Sequence, residues 1–272
     1  MAKLRSDAKV VIDLSAPTPA AASANLREEL DAGRVSRIVI AGGDGLVHLA
    51  IQHLAGTDIG VTIAPIGSGN DFAHAVQEHR GTGVRADLIR VTTSDQTQVW
   101  VASVAIAGFP ADINERANRM GRLWGSSVYA LATIQELPTF RRRTYELSLD
   151  GIPIATDSAM LAIGNTKYFG GGMLPCPDAL PDDASLHLTS IENVDRRGLL
   201  PHLIGRTGGT EGRKEVLRGV GQRIDIESSG HDFWADGEPV GTSPLTFEIV
   251  PKALRIEHVA RTTRNERRQH NA

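Results

Sequence analysis

The chain has 272 residues, 41% of them hydrophobic and 22% charged, which suits a globular protein of two modest domains or one large one. A single cysteine, Cys176, excludes an internal disulfide and fits a reducing compartment. The formal charge of −3 argues against a dedicated nucleic-acid binder. No apolar run approaches the roughly 18–20 residues needed to cross a bilayer, and Asp13 interrupts the apolar stretch that follows Lys3 and Arg5, so no signal peptide is expected.

The first third alternates strand-like and helix-like segments. Residues 9–13 read as a strand, 18–32 as a helix closed by Gly33, and 37–41 as a strand. A helix at 46–54 closed by Gly56, a strand at 59–64 and a short helix at 70–77 follow. This order predicts parallel strands with right-handed crossovers, hence an α/β layer over residues 1–88. The texture then changes to a β-rich region over 89–260. Strands are expected at 87–92 and 98–107, helices at 111–120 and 123–137, and strands again at 144–149, 157–164 and 185–191. A helix at 196–204 precedes strands at 223–227, 245–250 and 253–258, and Asp150-Gly151 reads as a hairpin turn. Residues 261–272 form a polar, basic tail expected to fray.

Two glycine-rich turns leave predicted strands and enter helices: Gly42-Gly43-Asp44-Gly45 and Gly67-Ser68-Gly69-Asn70-Asp71. Ligands bind at such places because backbone N–H groups and helix N-termini converge there. Asp44 and Asn70 are equally readable as helix caps, but two such turns on successive units favour phosphate binding. Neither is a Walker A loop, since no Gly-Lys-Ser/Thr follows, and Phe72 displaces the last glycine of a dinucleotide fingerprint.

The two turns, with Ala64-Pro65-Ile66 ahead of the second and Phe72-Ala73 after it, resemble the paired signature of the diacylglycerol kinase catalytic domain. Further matches follow in order: Ala86-Asp87-Leu88, Gly164-Asn165, Tyr168-Phe169-Gly170-Gly171-Gly172-Met173, Pro177-Asp178-Ala179 with Asp182-Asp183, Asp236-Gly237-Glu238-Pro239 and Pro251-Lys252-Ala253-Leu254. The resemblance implies a nucleotide-binding α/β domain of the NAD kinase and diacylglycerol kinase type, then a β-rich sandwich, with the active site between them. It implies transfer of the ATP γ-phosphate to a lipid hydroxyl, nominally that of diacylglycerol, with ceramide or a sphingoid base as the alternative. The partners it implies are ATP, Mg2+ and a membrane lipid met peripherally from the cytoplasmic face, and it leaves a homodimer open.

Carried over residue by residue, Glu238 is the base for the lipid hydroxyl, and Asp44 and Asp236 complete the catalytic acids. The nucleotide contacts fall on Thr18, Gly42, Gly43, Asp44, Gly45, Leu46, Gly67, Ser68, Gly69 and Asn70, with Asp87 supporting the acidic cluster. Leu180 to Ser185 match a structural magnesium site, with a side-chain oxygen from Asp183 and the carbonyls of Leu180 and Ser185. Read without the resemblance, Asp236-Gly237 is a β-turn and Asp182-Asp183 a polar loop. His48, His53, His74 and His79 show no zinc spacing and read as surface residues, and Arg141-Arg142-Arg143 as a solvated run rather than a headgroup contact.

The chain also departs from the family pattern. No Asn-Pro-x-Ser-Gly turn precedes residue 9, and Ala16-Pro17-Thr18-Pro19 matches the family's next loop. Either the true start lies further upstream, or the α/β domain lacks its first strand and helix, about one βαβ step, in which case ATP binding would be weakened. Ala184 stands where glycine is usual, Leu46 where threonine is usual, and His48-Leu49 where Asn-Glu is usual. Two other readings stay open. An NAD kinase shares Gly-Gly-Asp-Gly but lacks Asp236-Gly237-Glu238, and a non-catalytic relative would explain the missing loop.

Overall fold

The computed structural model describes residues 12–80, 82–120, 135–136, 139–195 and 215–260. Most of the helix expected at 123–137, the helix expected at 196–204 and the basic tail lie outside them. So does the start of the strand expected at 9–13, whose described residues 12–13 are not strand. The chain divides into two compact units, Met1–Ser36 and Arg37–Ala272, which are taken separately.

The first unit contains α1 (Pro19–Asp31), with proline at its start. Thr18 is its N-cap, and its hydroxyl accepts the Ala21 N–H at 3.2 Å.

The second unit opens with α/β structure. β1 (Arg37–Gly42) and β2 (Gly60–Pro65) pair in parallel, and α2 (Asp44–Leu54) links them. The apolar stripe Val47, Ala50, Ile51 and Leu54 is buried, as the 3–4 residue spacing requires. After β2 comes α3 (Asp71–His79), burying Phe72, Ala73, Ala75 and Val76.

Strands then dominate: β3 (Thr82–Thr93), β4 (Gln98–Val101) and β5 (Val104–Gly108), followed by α4 (Phe109–Met120). Next are β6 (Arg143–Leu149), β7 (Ile152–Gly164), β8 (Leu186–Glu192) and β9 (Val216–Gly221). The chain closes with β10 (Arg223–Ile226), β11 (Asp232–Ala235), β12 (Glu238–Thr242) and β13 (Leu245–Val259). Among the described residues the strands form one hydrogen-bonded network, ordered β1-β2-β13-β10-β6-β7-β5-β11-β12 along its main path. β13 joins the two regions, parallel to β2 and antiparallel to β3.

β5 and β7 are covered on both faces, which explains their unbroken apolar runs. Ala105, Ala107, Leu161 and Ile163 face a core with Phe233, Phe247, Tyr145 and Leu147. Val104, Ile106, Met160 and Ala162 face a second core with Phe109 and Ile113 of α4.

Several strands were not anticipated. β9, β11 and β12 are short, and Gly219, Gly221, Pro239 and Gly241 break their patterns. At Gly219 a Cβ would come 2.7 Å from Leu149 Cδ2, a side-chain end that would have to shift. The expected strands 245–250 and 253–258 form one strand interrupted by a bulge between Val250 and Leu254. The expected 98–107 strand breaks at Ala102-Ser103, and the expected boundary at 88/89 falls inside β3. Asp150-Gly151 forms the anticipated two-residue turn, with φ of 49° and 81° between paired Leu149 and Ile152.

Gly108, at the junction of β5 and α4, offers a stability test. Its φ is +89°, and a Cβ would sit 2.6 Å from the Ala159 carbonyl oxygen. Gly108→Ala should therefore destabilise the fold by roughly 2–4 kcal/mol, from left-handed strain plus the clash. Urea unfolding would read this as a lower midpoint at unchanged slope, and an unchanged midpoint would contradict it.

Candidate active site

The two glycine turns are packed against each other. β1 delivers Gly42 and Gly43, β2 delivers Pro65 to Gly67, and the Ile66 N–H donates to the Gly42 carbonyl at 3.1 Å. A Cβ on Gly67 would lie 2.5 Å from Gly43 Cα, so two backbones occupy the space of side chains. Asn70, at φ 61°, closes the second turn on itself. Its Oδ1 accepts the Gly67 N–H at 3.0 Å and its Nδ2 donates to the Gly67 carbonyl at 2.8 Å. Ser68 is exposed at the crest, and Leu46 packs beside Gly42. Both α2 and α3 start here, and the first N–H groups of a helix lack intrahelical acceptors.

Two carboxylates cross between these helices, Asp44 half-buried and Asp71 buried. Asp44 opens α2, but its Oδ1 accepts the Phe72 N–H of α3 at 3.3 Å, with further hydrogen bonds from the Asn70 and Asp71 N–H groups. Asp44 thus caps a helix other than its own, whereas Asn70 makes no side-chain cap. Glycine at 69 makes room for it, since a Cβ there would come 2.8 Å from Asp44 Oδ2. Asp71 reaches the loop Gly170–Gly172, whose φ values are 62°, 87° and 112°, and accepts the Gly171 N–H at 2.9 Å.

Burial, then repulsion from Asp236, raises the pKa of Asp44. Burial, then the charge of Asp44, raises Asp71 from 3.8 to about 7, against the hydrogen bond from Gly171. The folded protein holds the Asp71 proton over a range where the unfolded chain has released it. This stabilisation is complete below pH 3.8 and is lost as the pH rises through about 7. Without divalent cations, stability should fall by about 2 kcal/mol between pH 5.5 and 8. Asp71→Asn should flatten that fall in thermal melts. An unchanged pH slope in the variant would contradict the assignment.

The third acid sits in a turn. Asp236 and Gly237, at φ 53° and 88°, join paired residues Ala235 and Glu238, a two-residue hairpin of the primed type. Asp236 is nevertheless buried. Its Oδ2 accepts the Ala102 N–H at 2.9 Å, its Oδ1 accepts the Ser103 N–H at 3.2 Å, and His48 Nδ1 lies 3.3 Å from Oδ2. Glu238 follows on β12, with Oε1 3.9 Å from where a Cβ on Gly45 would be. The structure therefore gathers Gly42 to Leu46, Gly67 to Asn70, Asp236 and Glu238 around the start of α2.

Asp87 belongs to a different cluster. It is 1% exposed, and its charged neighbours are Asp182 and Asp183 rather than Asp44. Its Oδ1 accepts the Lys252 N–H and its Oδ2 the Ala184 N–H, both at 2.7 Å. It so fastens the β13 bulge to the 180–185 loop. Asp183 Oδ2 accepts the Leu180 N–H at 3.1 Å and faces His187 Nε2 at 3.0 Å, and Oδ1 accepts the Ser185 N–H at 3.0 Å. Oδ1 keeps a lone pair, so Asp183 offers one side-chain oxygen of the kind a hard cation takes. Ala184 has φ 56°, which accounts for the usual glycine there and adds about 1 kcal/mol of strain. Among the described residues, no group of three or more His, Cys, Asp or Glu side chains is placed to hold a metal ion.

Sequence reasoning missed two members. Asp71 was placed in the second glycine turn but given no role, and His48 read as a surface histidine, although it is 8% exposed against Asp236. The spacing Asp44, His48 and Gln52, four residues apart along one helix face, was the available signal. Arg143 is likewise no solvated residue, because it pairs with Asp112 at 2.7 Å.

Comparison with known proteins agrees in both halves. Residues 1–104 match the diacylglycerol kinase catalytic domain, and residues 103–258 match the YegS C-terminal NAD kinase beta sandwich-like domain. The chain is 32% identical over 235 residues to a diacylglycerol kinase of Mycobacterium tuberculosis, covering 80% of this chain and 75% of that protein. It is 27% identical over 235 residues to lipid kinase YegS of Escherichia coli, covering 81% and 77% respectively. A crystal structure of a diacylglycerol kinase from Bacillus anthracis strain Sterne shares the fold, with a TM-score of 0.64 at 15% identity over 90% of this chain and 83% of that one.

Proposed function

The chain belongs to the diacylglycerol kinase family and is a lipid kinase, and on that footing we propose that it transfers the γ-phosphate of ATP to the hydroxyl of diacylglycerol. The observation that carries this reading is the approach of the Glu238 carboxylate to Gly45, beside the contact of Gly43 with Gly67. Phosphoryl transfer needs positioned phosphates, charge neutralisation and a group that takes the proton of the attacking hydroxyl.

In this reading the turns Gly42 to Leu46 and Gly67 to Asn70 hold the nucleotide phosphates through backbone N–H groups. Glu238 takes the proton from the lipid hydroxyl, and Asp44 and Asp236 fix the geometry around it. Mg2+, when bound, supplies positive charge against the phosphates and, in the 180–185 loop, a structural tie through Asp183 with the carbonyls of Leu180 and Ser185. Asp87 holds that loop against the bulge of β13.

The acceptor lies in a membrane, and no described helix is long and apolar enough to cross one. In this reading the enzyme meets its lipid peripherally, at the cytoplasmic face of the membrane. The acceptor is tested with mixed micelles of diacylglycerol, ceramide or a sphingoid base and ATP labelled in the γ-position. Label in phosphatidic acid supports the proposal. Label confined to the ceramide or sphingoid product would replace diacylglycerol as the acceptor.

A further inference from the structure

Three polar residues lie on one face of α2 at four-residue intervals, and each is bonded to another element. Asp44 accepts the Phe72 N–H at the start of α3. Gln52 donates to the Trp100 carbonyl at 2.8 Å and accepts the Trp100 N–H at 2.9 Å, on β4. Between them, His48 Nδ1 lies 3.3 Å from Asp236 Oδ2. His48 also sits three residues after Gly45, against which Glu238 rests. α2 therefore holds the β11–β12 hairpin at Asp236 and passes beside Glu238, two residues further on, while its own first turn forms part of the nucleotide turn.

We propose that His48 is a positioning residue for phosphoryl transfer, acting through Asp236 to hold Glu238 at a fixed place relative to the nucleotide turns. The inference rests on the kinase reading above. A carboxylate only accepts hydrogen bonds, so Nδ1 carries the proton in this pair. The bond is charge-assisted and buried, the class whose loss is felt most. The backbone N–H groups of Ala102 and Ser103 hold Asp236 from the opposite element. Loss of His48 should let the hairpin tilt on that remaining anchor rather than unfold.

The test compares His48→Ala and His48→Asn with the unaltered chain. The Asn amide can donate from nearly the position of Nδ1, whereas Ala cannot. His48→Ala should lower kcat about 10- to 100-fold while KM for ATP stays within about twofold, and His48→Asn should recover most of the loss. An unchanged kcat, a defect confined to KM for ATP, or no recovery with Asn would overturn the proposal. Nitrogen NMR of the imidazole gives a second reading that needs no turnover. Nδ1 should bear the proton in the unaltered chain, and the other tautomer should gain population in Asp236→Asn. A proton resident on Nε2 in the unaltered chain would overturn the proposal. If no lipid accepts phosphate, the kinase reading fails and the NMR result alone decides whether His48 holds Asp236.

Discussion

Replacing Glu238 by Gln is expected to keep the fold and ATP binding while lowering kcat about 10²–10⁴-fold, the usual contribution of a general base. Gln has the same length and can occupy the same place beside Gly45, but it cannot take a proton. Asp44→Asn should behave differently. Asp44 accepts N–H groups from the first turn of α3, and an amide nitrogen facing those donors would disturb the phosphate turn itself. Its defect should therefore appear in the dependence on ATP and Mg2+ as well as in kcat. Steady-state kinetics varying lipid and nucleotide separately would distinguish the two. A Glu238→Gln variant with near-normal kcat would leave the Asp236-Gly237 hairpin as a turn and nothing more, and the base would have to be sought at Asp44.

Gly67→Ala is expected to lower kcat/KM for ATP by about 10²-fold. The added methyl would sit 2.5 Å from Gly43 Cα, a backbone atom that no rotamer change can move. Relief requires the two turns to separate by about an ångström, and displacement on that scale is enough to cost about 10²-fold in rate. The core beneath is built from Ile40, Val61 and Ile63, away from the methyl, so thermal stability should change far less than activity. Calorimetric titration with ATP and Mg2+ would measure the affinity directly. Binding equal to that of the unaltered chain would show that these turns do not carry the phosphates.

The glycine turns were legible because glycine and aspartate at a strand end announce close backbone approach before any partner is known. Glu238 was legible only through a motif, since Asp236-Gly237 alone reads as a solvated turn. The structure shows a hairpin backbone, but the Asp236 carboxylate is buried beneath it rather than solvated. Asp71 escaped because its partner, the Gly171 N–H, comes a hundred residues later in the chain. The β13 bulge escaped because Pro251 reads as a break, whereas the Lys252 N–H is held by Asp87 and the strand continues. β9, β11 and β12 are too short and too rich in glycine and proline for local pattern to reveal them. Tertiary pairing forms them instead.

The central claim is that one site at the start of α2 both holds ATP phosphates and deprotonates a lipid hydroxyl. Its most direct test is a single-turnover reaction with γ-labelled ATP, Mg2+ and diacylglycerol micelles, run beside Glu238→Gln and an active relative. The predicted result is label in phosphatidic acid from the unaltered chain, with the rate cut at least about 10²-fold in the variant. No labelled product from the unaltered chain while the relative reacts, or equal rates from chain and variant, would contradict the account.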